Sequence, residues 1–233
     1  MEKSSYAMEG EDVLLESLFR NADKGNFFDI GSGEPIWNSN TYYFYKKGWR
    51  GVACDGRDLS SEWEKTRPGD KFVQCVLGDS DSGVMDFWTF PDPTMNTVDK
   101  DTAARYASRF SPSDVKQTSV PIQTAYDVYT EHCDEKAGSD ASPPHLVSID
   151  VEGSEMSVLR GLLEPNSDWR PAILVVETKL FNFLQPLETD ITNYLIKKPC
   201  YSLIAKTPLN AIFIDPSNPL FNWLPTSMLE NNL

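Results

Sequence analysis

The chain has 233 residues, enough for one α/β domain with a sizeable core, and its 40% hydrophobic and 24% charged content is that of an ordinary globular protein. With 35 acidic against 21 basic side chains the formal charge is −14, a surface that repels phosphate backbones and anionic lipid; neither nucleic acid nor a membrane is an expected partner. No run approaches the roughly 18 apolar residues of a membrane helix, and the opening MEKSSYAMEGEDVLL lacks the apolar stretch of a signal peptide. Cys54, Cys75, Cys133 and Cys200 form no Cys-x-x-Cys pair, and only two histidines could join them on zinc, so they read as reduced thiols in a cytoplasmic protein.

Residues 10–20 place Val13, Leu14, Leu18 and Phe19 on one face of a helix, the main element of an N-terminal segment over residues 1–24. Residues 25–30 read as a strand running into a turn at Gly31-Ser32-Gly33. Ser39-Asn40-Thr41 starts a helix that Gly48 stops, with Tyr42, Tyr45 and Trp49 on a shared core face and Trp37 left in the preceding loop. A second strand spans 51–55, a short helix 59–65 and a third strand 72–77. Residues 79–120 are irregular and punctuated by proline, with a strand expected at 85–90 and a helix at 99–110. Regular structure returns with a helix ending near His132, a strand at 146–150, a helix at 154–163, a strand at 172–177 and a helix at 187–198. The last two strands, 201–206 and 211–215, have too short a link for a crossover and must pair antiparallel, leaving a tail over 216–233. Strand alternating with helix predicts a single α/β domain over 1–233, built on a mostly parallel seven-stranded sheet with helices on both faces and a C-terminal antiparallel hairpin.

The Asp29-Ile30-Gly31-Ser32-Gly33 turn lets the backbone approach a ligand at the carboxyl edge of the sheet. It lacks the third glycine of a dinucleotide fingerprint, since Ile36 and Trp37 stand there, so a nicotinamide cofactor is disfavoured. Asp55, followed by Gly56, ends the second strand 24 positions after Gly31, the interval usual for an acid that holds ribose hydroxyls. Asp79 and Ser80, after the third strand, are candidates for contact with a base.

GEDVLLESLF, FFDIGSGEPIWNSNTYYFYKKGWRG and LVSIDVEGSEMSVLRG, in that order, resemble the FkbM-type methyltransferases, which have a Rossmann-like class I methyltransferase fold. Val120-Pro121-Ile122 with Tyr126-Asp127, and Asn210, fall where that family has further motifs, so the resemblance runs over residues 6 to 214. It implies binding of S-adenosyl-L-methionine and methyl transfer, typically to oxygen on a small molecule or sugar. Asp29, Gly31, Ser32 and Gly33 would then lie along the methionine part, Asp55 on the ribose, and Asn40 and Thr41 in the same pocket. The sequence departs from the family at Ala7-Met8, which replace Ser-Gln; Glu9 or Glu11 would supply the polar group in their place.

An alcohol attacks the sulfonium methyl poorly while protonated, so a base is needed beside it. Asp150, at the carboxyl end of an apolar strand, is the first candidate, with Glu152 two residues on and Glu155, a lesser one, one turn into the helix. Glu177 ends the neighbouring strand; with Asp150 it could hold a magnesium ion that acidifies the acceptor, or Lys179 would neutralise the place instead. The alternative to an enzyme is a binding or scaffold module that keeps the fold without turnover.

Overall fold

Five apolar runs buried on both faces form the centre of one seven-stranded sheet, two less buried strands close its edges, and amphipathic segments between them supply the cover. The computed structural model describes residues 4–80, 83–133, 141–178 and 189–229. Its strands are β1 (Asn26–Ile30), β2 (Arg50–Asp55), β3 (Lys71–Gln74), β4 (Val76–Gly78), β5 (Val84–Thr89), β6 (Lys116–Thr124), β7 (Leu146–Ile149), β8 (Ile173–Glu177), β9 (Ser202–Lys206) and β10 (Asn210–Ile214). Its principal helices are α1 (Glu11–Leu18), α2 (Tyr42–Lys46), α3 (Ser60–Thr66), α4 (Lys100–Ala107), α5 (Ala125–His132), α6 (Glu155–Leu163) and α7 (Asp190–Lys197).

The large sheet runs β3-β2-β1-β7-β8-β10-β9. The strands from β3 to β8 are mutually parallel, and β10 lies antiparallel to both β8 and β9. Alternation along β1 sends Phe28 and Ile30 into a core beneath α5 and α6, and Phe27 into a second core with Leu15, Phe44 and Trp49. Order reverses beside β1, so the chain leaves β1 toward β2 while β7 enters on its other side, and a crevice opens at the carboxyl ends.

Three local readings change. The run 72–77 is not one strand. The Cys75 amide donates to the Asp55 carbonyl (3.1 Å), and the chain then turns away, so that β4 pairs parallel with β6 in a separate sheet ordered β4-β6-β5. In α1 the buried stripe is Leu15, Leu18 and Phe19; Leu14 is exposed, one residue off the three-and-four spacing that faces the sheet. After the glycine turn, Phe44 rather than Tyr42 or Tyr45 accompanies Trp49 inside, their rings 4.8 Å apart, and the Ser39 hydroxyl accepts from the Tyr42 amide (3.1 Å) to start α2. Gly48 ends that helix at φ 93°. The polar loop KAGSDASPP expected over residues 136–144 lies partly, and Lys179 wholly, outside the described residues.

Helix α6 crosses β4 so closely that a β-carbon on Gly161 would sit 1.8 Å from the Gly78 carbonyl oxygen. Helix propensity favours alanine over glycine by about 1 kcal/mol, yet Gly161→Ala should lower stability by about 1–3 kcal/mol through overpacking. Urea unfolding decides between them, and a variant more stable than wild type would refute the close packing of α6 on β4.

Candidate active site

The crevice at the carboxyl edge is a cavity of about 630 Å³. Its near wall is the turn after β1 with the end of β2: Gly31, Ser32, Gly33, Asp55 and Gly56. Gly31 sits at φ 71°, and a β-carbon there would be 1.7 Å from the Asp150 carbonyl oxygen, so the turn packs directly on the backbone leaving β7. Gly56 is required for a different reason: a β-carbon there would be 2.8 Å from the Phe87 ring of the smaller sheet.

Asp55 is held ready at this wall. One carboxylate oxygen accepts from the Gly33 amide (3.0 Å) and the other from the Arg57 amide (2.8 Å), while the Arg57 guanidinium lies 3.3 Å away and reaches toward Glu34 (3.7 Å). The Ser32 hydroxyl is buried and has no hydrogen-bond partner among the described residues. Cys54 and Cys75, buried thiols of the core, also line the cavity, and burial pushes the Cys54 thiol up.

Across the cavity stand Asp150, Glu152 and Glu177, each with a carboxylate oxygen within 4.8 Å of the others. Asp150 follows β7 and Glu177 ends β8, adjacent parallel strands, which is why residues 27 positions apart converge. Glu152 adopts φ 57°, a left-handed conformation that costs a non-glycine residue about 1–2 kcal/mol. Glu155, by contrast, accepts from the Gly153 amide (2.9 Å) and caps its own loop away from the cavity wall.

Five further candidates lie off the wall. Asp29 points to the opposite face of β1 from Ile30, where it accepts a short hydrogen bond from the Thr41 hydroxyl. Thr41 in turn accepts from Arg67 Nη1 (3.0 Å), and Arg67 Nε donates to Asp70 (2.6 Å), all fully buried. Asn40 donates to the Ser148 hydroxyl (3.0 Å) in the same layer. These three residues tie β1, the start of α2 and β7 together on the face away from the cavity. Asp79 and Ser80 are exposed, because β4 has already left the main sheet, and they do not line the cavity.

The sequence pointed to the irregular stretch over 79–120 as a wall for the acceptor, but to none of its residues; that stretch supplies the far lobe of the cavity. Phe87, Pro93, Thr94, Asn96, Thr97, Val98 and Tyr106, all from the irregular stretch, line it. Trp37 (77% exposed) and Met8 stand at its mouth. Glu9 accepts from the Leu209 amide (3.0 Å), and Glu11 accepts from Asn210 Nδ2 and the Thr207 hydroxyl (2.8 Å each), tying the N-terminal segment to the link between β9 and β10. The paired motifs at both chain ends were visible in the sequence; that they meet was not.

Desolvation raises the buried Asp29 carboxyl to about 6, although Arg67 and the Thr41 hydroxyl pull it down. The folded state thus holds this proton more tightly than the unfolded chain, so the group favours folding at low pH and that advantage is lost as pH rises through about 6. Between about pH 4 and pH 7, wild type should lose up to about 3 kcal/mol relative to Asp29→Asn. Parallel stability curves in chemical denaturation would contradict the buried carboxyl.

The family model described as the methyltransferase FkbM domain matches residues 29–200, from the glycine turn to the end of α7, and the chain belongs to that family. Searches of curated proteins and of solved structures returned no match. Among the described residues no helix is long and apolar enough to cross a membrane.

Proposed function

We propose that this FkbM-family methyltransferase binds S-adenosyl-L-methionine in the crevice and transfers its methyl group to a hydroxyl oxygen of a small molecule or sugar. The supporting observation is the juxtaposition, in one cavity, of the glycine turn and Asp55 on one wall with Asp150, Glu152 and Glu177 on the other.

The residues present fit that cofactor. Asp55 is oriented by two backbone amides and offers acceptors to vicinal hydroxyls, which would share it with the Arg57 guanidinium 3.3 Å away. Gly31, Ser32 and Gly33 let a ligand approach the backbone, and the buried Ser32 hydroxyl gains a partner when a polar group arrives. The apolar side chains of Val76, Leu77 and Phe87 offer a surface for a flat ring, in the region where the sequence pointed to Asp79 and Ser80.

When bound, the cofactor supplies a methyl group on a sulfonium, already activated toward a nucleophile. The chain's task is to position the acceptor, an effect that can supply roughly 7–11 kcal/mol of the barrier, and to accept its proton. Asp150 and Glu152, with Glu177 beside them, would take that role, one of these carboxylates accepting the proton of the acceptor hydroxyl. Trp37 and the far lobe receive the acceptor.

The closeness of the three carboxylates favours a second reading, in which a magnesium ion among them acidifies the acceptor hydroxyl. Dialysis against EDTA discriminates the two: full methyl transfer after metal removal excludes the ion.

The experiment for the main reading is calorimetric titration of S-adenosylhomocysteine. Saturable binding to wild type is expected, and Asp55→Asn should weaken it by about 1.5–3 kcal/mol, roughly ten- to 150-fold. Binding that ignores Asp55 would displace the cofactor from this wall, and failure of wild type to bind would leave a non-catalytic module as the surviving alternative.

A further inference from the structure

Glu152 is carried by the loop between β7 and α6, and the irregular stretch that forms the far lobe is clamped onto that loop at three points. The Thr97 hydroxyl donates to the Glu152 carbonyl oxygen (2.7 Å). The Tyr106 hydroxyl donates to Glu152 Oε2 (2.9 Å). Gly153, at φ 115°, leaves a space in which a β-carbon would meet Thr102 Oγ1 at 3.0 Å and the Asp99 side chain at 3.3 Å, so the first turn of α4 packs where a side chain would be.

Thr97 is itself fixed. It pairs by backbone with Trp88 in β5, and its hydroxyl also accepts from the Asp99 amide (2.9 Å). Tyr106 is set by the Phe90 ring, edge-on at 6.0 Å. Both anchors therefore belong to the lobe, while what they hold belongs to the sheet edge. Left to itself a glutamate has little reason to adopt the left-handed backbone of residue 152, and the surrounding contacts over-determine it.

We infer that Tyr106 and Thr97 are positioning residues for the transfer: they lock the backbone and carboxylate of Glu152 beside Asp150 and Glu177, so that the lobe which receives the acceptor also sets the group that faces it. This rests on the methyltransferase reading above. It goes beyond it in assigning the lobe a part in the chemistry rather than in recognition alone. A carboxylate at the end of a flexible side chain loses effect when misplaced by about 1 Å, which is the freedom that loss of the Tyr106 hydroxyl would restore.

The test uses two probes and needs no acceptor. S-adenosylhomocysteine carries nothing where the methyl would be, whereas sinefungin carries an ammonium there, which a carboxylate facing that point attracts. Calorimetry of the full-length protein should show wild type preferring sinefungin. Glu152→Gln should cut the preference about tenfold, and Tyr106→Phe about three- to fivefold, with the affinity for S-adenosylhomocysteine and the thermal midpoint unchanged. Thr97→Val should cut the preference as Tyr106→Phe does, with a lower thermal midpoint because the Asp99 amide and Glu152 carbonyl lose a buried partner, and Thr97→Ser, which keeps the hydroxyl, should restore the preference. A merely structural role for the clamp would shift both ligands together or lower the midpoint without changing the ratio. An unchanged ratio in Tyr106→Phe and Thr97→Val overturns the assignment, as does an unchanged ratio in Glu152→Gln. Failure of wild type to bind S-adenosylhomocysteine would instead overturn the parent reading, and the assignment with it.

Discussion

At Gly31 the turn after β1 comes so near the Asp150 carbonyl that no β-carbon fits between them. That close approach sets the geometry of the whole rim. It brings the wall holding Ser32, Gly33 and Asp55 up against the strand end carrying Asp150, and it leaves the remaining space between them as a single cavity. A larger residue at position 31 would have to part β1 from β7, which pair in register from Phe27 with Leu146 to Ile30 with Ile149. The functional edge and the central strand pairing are therefore one constraint, and the requirement for glycine is steric as well as conformational.

Beneath that turn lies a polar layer of a kind that sheets seldom bury. Asp29, Thr41, Arg67 and Asp70 form a chain of hydrogen bonds with the guanidinium stacked over the Trp63 ring at 4.3 Å. Such a layer adds little net stability, because desolvation offsets most of the Coulomb attraction. What it contributes is specificity of conformation. The turn itself is held by the Gly31 and Ser32 amides donating to the Cys54 carbonyl (3.0 Å each) and by the Trp63 indole, on which the guanidinium stacks, donating to the Gly33 carbonyl (3.1 Å). Desolvation both raises the Asp29 carboxyl and lowers the Arg67 guanidinium, the signs expected of charges taken out of water, and their mutual attraction opposes both.

The cavity wall carries Glu34, Asp55, Asp150, Glu152 and Glu177 against Arg57 as the one cation among the described residues that line it. Together with the −14 formal charge of the chain, this disfavours a phosphorylated ligand and suits the cationic sulfonium cofactor and neutral acceptor proposed above. The two halves of the cavity differ in construction. The half nearest Asp55 is built from strand ends and their immediate turns. The other is supplied by the smaller β4-β6-β5 sheet and by α4, elements inserted between β3 and α5 of the main fold.

The sequence by itself determined the parallel strands, the glycine turn, the acid after β2 and the acids after β7 and β8, because each is written in a local pattern: apolar runs bounded by turn residues, or a carboxylate at a strand end. Those patterns are read within a few residues, and they suffice to say what lies at the edge of the sheet. They do not tell which way a side chain faces once alternation begins, so Asp29 and Thr41, expected in the pocket, instead bond to each other on the face away from it. They do not show that the chain abandons the main sheet at Cys75, since Lys71–Gly78 is uniformly strand-like and the choice of partner between β2 and β6 is made by contacts about 20 and 45 residues away in sequence. Nor do they reveal that Thr97 and Tyr106 reach Glu152, or that Glu11 reaches Asn210, because hydrogen bonds spanning 46 to 199 residues leave no periodic trace. Identity of the edge residues was local; their convergence into one site was decided by how the strands pair and what the insertion packs against.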